Sequence, residues 1–172
     1  MSPRGKGLLL LAASLAGMFV VSKYRRDEAQ VLRAFEGKAV PAFRYVLSGD
    51  GVIRSAEEWR GKPVILNFWG TWCGPCREEM PGLARAAKEL EARGVHVVAI
   101  SDEEREVVER FASRPGAELP RVGVVAPGGA RFLEELGARP VTFAIGRDGT
   151  IREARLGAME YEGFKEMAAG LL

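Results

Sequence analysis

The sequence predicts an α/β domain, with a mixed central sheet covered by helices on both faces, preceded by one N-terminal hydrophobic helix. Three observations carry that reading. Apolar runs of strand length recur at 63–69, 95–100 and 141–146, and amphipathic helical stretches separate them. Arg147-Asp148-Gly149 then joins the last of these runs to 150–156 as a hairpin, so the strands do not all run the same way. An uncharged run at 8–21 stands apart from the alternation.

That run is preceded by Arg4 and Lys6 and followed by Lys23, Arg25 and Arg26. As a helix it spans roughly 21 Å, short of the ~30 Å hydrocarbon core, so it reads as an export signal or short anchor, with an uncleaved anchor favoured. Residues 1–22 are therefore assigned as a signal-anchor or signal peptide. Residues 23–37 form a polar linker, and 38–172 form the folded domain on the extracytoplasmic face, periplasmic or outer.

Within the domain, 43–47 reads as a strand and Ser48-Gly49-Asp50-Gly51 as a turn. Ser55 with Glu58 makes a capping-box pattern that opens a short helix. After the central strand at 63–69, a long helix from Gly74 to about Ala92 carries Leu83, Ala86, Ala87 and Leu90 on one face, with a kink expected at Pro81 and a stop at Gly94. The strand at 95–100 follows, holding the single His96, which reads as core or strand end. Ser101 with Glu104 repeats the capping-box pattern before a helix bearing Val107, Val108 and Phe111. Strands at 121–126 and 141–146, the hairpin, and a helix with Tyr161, Phe164, Met167 and Leu171 close the chain.

Composition bounds the function. With 172 residues, 47% hydrophobic and 28% charged, the chain suffices for one packed core. The net charge of +2 arises from interspersed acids and bases, so no basic stripe supports nucleic-acid binding.

The two cysteines, Cys73 and Cys76, carry the chemistry. The strand at 63–69 delivers Cys73 to the N-terminus of the long helix, where unpaired N–H groups and the positive dipole end favour a thiolate. Cys76 lies one turn on. Attack by the first thiol and resolution by the second, with a Cys73–Cys76 disulfide as product, follows from that placement. A structural zinc site lacks a second ligand pair. Covalent haem attachment needs a histidine after the second cysteine, where Arg77 stands, and a purely structural disulfide would close too short a loop to help stability much. No Gly-rich nucleotide motif follows a strand, so no cofactor beyond the redox-active disulfide is expected, and no metal.

Trp72-Cys73-Gly74-Pro75-Cys76, with Pro140-Val141-Thr142-Phe143 before the hairpin, resembles the thioredoxin-like superfamily. Val40-Pro41-Ala42-Phe43, Gly61-Lys62-Pro63, the run from Asn67 to Cys73, Glu79-Met80-Pro81 and the exported N-terminus resemble its TlpA, ResA and CcmG (DsbE) branch of membrane-anchored thiol:disulfide oxidoreductases, over 38–172. The resemblance implies a thioredoxin fold and a cis peptide before Pro140. Pro140 would face the dithiol and pair with substrate backbone, and Trp72 would shield the dithiol or contact substrate. Trp69, inside a strand, reads as core. Asn67 stands where such sequences usually place a buried aspartate that takes the resolving thiol's proton. Glu79, three residues after Cys76 on the same helix face, matches a glutamate this branch uses instead, or is an ordinary first-turn acid. Arg139 before Pro140 departs from the family pattern, either as a cation beside the dithiol or as a surface charge.

The resemblance implies a reductase of exported protein disulfides, foremost the haem-attachment disulfide of apocytochromes c. A membrane or exported dithiol donor would recharge it. A thioredoxin-like protein serving another client, such as a metal-centre assembly factor, is the main alternative. A peroxiredoxin would place its threonine three positions before the cysteine, whereas Thr71 is two before Cys73, and a copper metallochaperone would space its cysteines four apart.

Overall fold

The computed structural model describes residues 30–130 and 132–172. The expected N-terminal helix and the start of the linker lie outside them. No helix among the described residues is long and apolar enough to cross a membrane.

Strands β1 (Arg44–Leu47), β2 (Ile53–Ser55), β3 (Val64–Trp69), β4 (His96–Ser101), β5 (Arg121–Val125), β6 (Val141–Ile145) and β7 (Ile151–Leu156) form one sheet in the order β2-β1-β5-β4-β3-β6-β7. β3, β4 and β5 are parallel, and their crossovers are α1 (Gly74–Ala92) and α2 (Arg105–Ala112). The remaining pairings are antiparallel: β1–β2 and β6–β7 are joined by short connections, whereas β1–β5 and β3–β6 bring together segments distant in sequence. A four-residue helix α3 (Phe132–Glu135) precedes β6, and α4 (Tyr161–Ala169) ends the fold. The expected thioredoxin-like mixed sheet is the one observed.

The period of two along β3 decides what each face does. Ile65 and Trp69 pack with α1, α2 and α4 through Leu83, Leu90, Val108 and Phe164. Val64, Leu66 and Phe68 face the opposite core, where Phe43 lies 5.7–6.0 Å, centroid to centroid, from Tyr45, Trp59, Phe68 and Phe132. The long helices therefore cover one face. The other is covered by a 3-10 turn (Ala56–Trp59), α3 and the N-terminal residues. Part of the expected linker contributes there: Leu32 is buried and Phe35 packs 5.5 Å from Phe143.

The capping box at Ser55 and Glu58 forms as expected. The one at Ser101 and Glu104 does not. Helix α2 begins at Arg105 with no side-chain cap, and the Ser101 hydroxyl instead accepts from the Glu103 N–H at 3.1 Å. The short strand β2 and helix α3 carry too few residues to show a period, and the sequence reading passed over both. Helix α1 continues through Pro81 to Ala92.

Candidate active site

β3 delivers the chain to one edge of the sheet, and three connections converge there. β3 and β4 end level, Trp69 beside Ser101. β6 runs the other way, with Val141 opposite Phe68, so continuing the register puts Pro140 level with Trp69. The Gly70–Cys73 loop, the Ser101–Glu103 turn and the Arg139–Pro140 peptide therefore share that edge.

Cys73 is the N-cap of α1, in extended conformation, and Pro75 occupies the first turn, where a missing N–H costs nothing. The Cys76 N–H donates to Cys73 Sγ at 3.2 Å, so sulfur fills the role usually taken by a serine or aspartate oxygen. In the reduced protein the same N–H groups favour a thiolate at this sulfur. The two cysteines are joined as a disulfide, Cα to Cα 5.3 Å. Cys76 is fully buried, and Cys73 keeps the pair's exposed share, 5%.

Below the dithiol lies a buried polar set in an otherwise apolar core. Asn67 faces the same side as Ile65 and Trp69, directly across from Thr142 of β6. Its Nδ2 donates to Glu79 Oε1 at 2.8 Å and to Thr142 Oγ1 at 2.9 Å. The second carboxyl oxygen of Glu79 accepts from the Met159 N–H at 2.9 Å. Burial raises the Glu79 pKa from 4.5 to about 7, against the pull of the Met159 and Asn67 donors. Glu79 is only 3% exposed, which is unlike a first-turn surface acid. Asn67 Oδ1 has no hydrogen-bond partner among the described residues. A carboxyl titrating near neutrality, one turn from the inner cysteine, is suited to proton exchange.

Trp72 is 67% exposed, and its indole lies back over Gly70, where a Cβ would stand 2.7 Å from Nε1. Trp69 is fully buried, 5.5 Å from Phe111. The Arg139–Pro140 bond is cis. The Arg139 side chain, 8% exposed, donates to Asp102 Oδ2 and to the Ala138 carbonyl, each at 3.0 Å. It is therefore held by a partner rather than pointing freely into water. His96 starts β4 level with Val64, at the opposite edge from the dithiol; burial lowers its pKa, aided by Lys62 and Arg121. No group of three His, Cys, Asp or Glu side chains suited to a metal ion occurs among the described residues.

The sequence reading missed three residues at this edge. Glu103 accepts from the Thr71 N–H at 2.6 Å and bonds the Thr71 hydroxyl at 2.7 Å. Asp102 holds Arg139, and Thr142 holds Asn67. Only Thr142 had a sequence signal, its parity in the strand after Pro140.

A family model described as Redoxin matches residues 35–171. The thiol-disulfide oxidoreductase ResA of Geobacillus thermodenitrificans is 34% identical over 92% of this chain and 88% of its own length. The ResA of Oceanobacillus iheyensis is 32% identical over 91% and 81%. Among solved structures, a Chlorobium tepidum protein described as a putative thiol:disulfide interchange protein DsbE superposes with a TM-score of 0.67 at 26% identity, covering 79% of this chain and 96% of that one. These likenesses span the sheet, the dithiol and the cis-proline together, and the chain accordingly belongs to the Redoxin family, in its thioredoxin-like branch of TlpA, ResA and CcmG (DsbE) proteins, and is a thiol-disulfide oxidoreductase.

Proposed function

We propose that this protein is an extracytoplasmic, membrane-anchored reductase of protein disulfides, with the haem-attachment disulfide of apocytochromes c as its leading client. The observation that carries the reading is the dithiol at the N-terminus of α1 backed by Glu79, a buried carboxyl with a pKa near 7. The Cys73 thiolate attacks one client sulfur, forming a mixed disulfide and releasing a client thiolate that takes up a proton. Cys76 then gives its proton to Glu79 and attacks Cys73 Sγ, and the second client sulfur leaves as a thiolate that takes up a proton as Glu79 gives its own up again. Two electrons pass to the client. The protein is left with the Cys73–Cys76 disulfide, the oxidised end of the cycle, and an exported or membrane dithiol returns it to the reduced state. Trp72 and the peptide before Pro140 supply the surface on which the client lies.

Trapping tests the reading. Cys76→Ser, expressed with its N-terminal segment, should accumulate mixed disulfides through Cys73 in the membrane fraction, and the captured chains should carry Cys-x-x-Cys-His. Capture of metal-centre assembly proteins instead would move the client to the alternative class. Faster alkylation of Cys76 than of Cys73 in the reduced protein would reverse the assigned roles. Release of the protein by alkaline washing would exclude the anchor.

A further inference from the structure

Asp102 and Glu103 are adjacent in sequence, and each reaches a different loop of the site. Glu103 takes both the N–H and the hydroxyl of Thr71, two residues before Cys73, while Ser101 Oγ lies 3.0 Å from the same carboxylate. Asp102 takes the Arg139 guanidinium, whose other contacts are the carbonyls of Ala138 at 3.0 Å and Leu133 at 3.5 Å. Arg139 is thus tied to two carbonyls of the chain that precedes it as well as to the turn that follows β4. Around it, Ala138 N–H bonds Leu136 at 2.7 Å and the Pro140 carbonyl accepts from Gly157 at 2.9 Å. The Arg139 N–H and carbonyl have no backbone partner among the described residues. They are the groups a client strand would pair with.

We propose that Asp102 and Glu103 are positioning residues that hold the Arg139–Pro140 loop and the Thr71–Cys73 loop at a fixed separation, Asp102 through Arg139 and Glu103 through Thr71, and so set how tightly a client strand is gripped beside the dithiol. The inference deepens the proposed function and rests on its reading that the peptide before Pro140 pairs with the client. Three features set this apart from ordinary surface charge. Arg139 is nearly buried, the two carboxylates are anchored to one strand end, and each has its partner on a loop that the sheet register brings to the same edge. The Arg139 charge is then spent within the protein, and selectivity arises from spacing rather than from a cation offered to acidic clients.

Two substrates separate grip from chemistry: a peptide bearing a disulfide in a Cys-x-x-Cys-His context, which can form a strand, and glutathione disulfide, which is too short to span the loops. For the full-length reduced protein, the ratio of their second-order oxidation rate constants, peptide over glutathione, is the readout. Asp102→Asn and Glu103→Gln should each lower it about 3- to 10-fold, the size expected for loss of a partly buried charged contact, through a higher half-saturating peptide concentration. Arg139→Gln should do the same, and Asp102→Asn with Arg139→Gln should be no worse than the worse single change, because both remove one contact. General loosening of the fold would slow both substrates together and leave the ratio in place. A ratio within twofold of wild type for Asp102→Asn or Glu103→Gln, or additive effects of Asp102 and Arg139, overturns the inference. Pro140→Ala is the control: if it collapses the ratio while the Asp102 variants do not, the positioning is wrong and the proline-loop reading stands. If Pro140→Ala leaves the ratio intact, that reading falls and this inference with it.

Discussion

Glu79→Gln, studied in the oxidised protein, isolates one titration. With Cys73 and Cys76 bonded neither thiol ionises, so pH-dependent differences between the variant and wild type belong to Glu79 and its neighbours. In the unfolded chain the carboxyl titrates near 4.5, and in the fold near 7. Between those values the native state holds a proton that the unfolded state has lost, so stability falls as pH rises through that window. Below 4.5 the carboxyl is neutral in both states and its burial is fully tolerated; above 7 the native state carries the desolvated charge. A rise from 4.5 to about 7, at about 1.4 kcal/mol per unit, is a loss of about 3 kcal/mol across the window. Glutamine keeps the shape without the charge. The unfolding free energy of Glu79→Gln minus that of wild type, from urea titrations between pH 4.5 and 8.5, should therefore climb by about 3 kcal/mol with pH and level off above neutrality. Asp50, Glu109 and Asp148, whose pKa values are lowered by their partners, lose stability only as pH falls below the ordinary carboxylate range, and they cancel in the difference. A difference flat in pH would show that Glu79 is not a buried carboxyl poised near 7, and its assignment as proton acceptor for Cys76 would go with it.

Three other outcomes are expected. Asn67→Asp sets two carboxyls at the 2.8 Å contact now made by an amide, so they must share a proton; stability at pH 7 should drop relative to wild type and recover towards pH 4.5, as urea titration would show. Gly123→Ala drives a Cβ to 2.5 Å from the Val46 carbonyl oxygen, backbone that cannot swing aside, and should cost about 1–3 kcal/mol, lowering Tm by roughly 2–4 °C per kcal/mol. The nearest contacts of a Cβ at Gly70 are atoms of the exposed Trp72 ring, so for Gly70→Ala Tm should hold while the change in tryptophan fluorescence on reducing the disulfide is altered; an unaltered signal would mean that Trp72 does not lie over this loop.

The site's local features were legible and its long-range ones were not. A buried apolar strand, then Cys-Gly-Pro-Cys opening a long helix, is set by neighbours in sequence, and α1 spans the expected residues 74–92. Singling out Glu79 needed the family resemblance, because helix spacing alone puts it on the face of Cys76 without saying that the face is buried. The partnership of Asn67 with Thr142 depends on the register of β3 against β6, across a separation of 75 residues. Ser101 and Glu104 satisfied a local capping rule, yet Glu103 is engaged by Thr71, 32 positions earlier, and no local pattern reports such a contact. Arg139 was equally ambiguous, since its partner Asp102 lies on a different strand end.

The choice of asparagine at 67 has a chemical logic of its own. A carboxyl that shuttles a proton inside an apolar core changes from acceptor to donor, and a neighbour able to do only one of these leaves a buried group unpaired in the other state. Aspartate would add a second charge, and leucine would leave the Glu79 carboxylate to the Met159 N–H alone. An amide presents a donor on one side and an acceptor on the other. With Nδ2 towards Glu79 it stabilises the carboxylate, as the 2.8 Å contact shows. Turned over, its oxygen would accept from the protonated carboxyl and from the Thr142 hydroxyl, which can reverse its own role, while Nδ2 would take the place where the oxygen has no partner among the described residues. Asparagine at this position can thus meet either state of Glu79, as the proposed proton transfer requires, with one end of the buried amide left without a protein partner in each orientation.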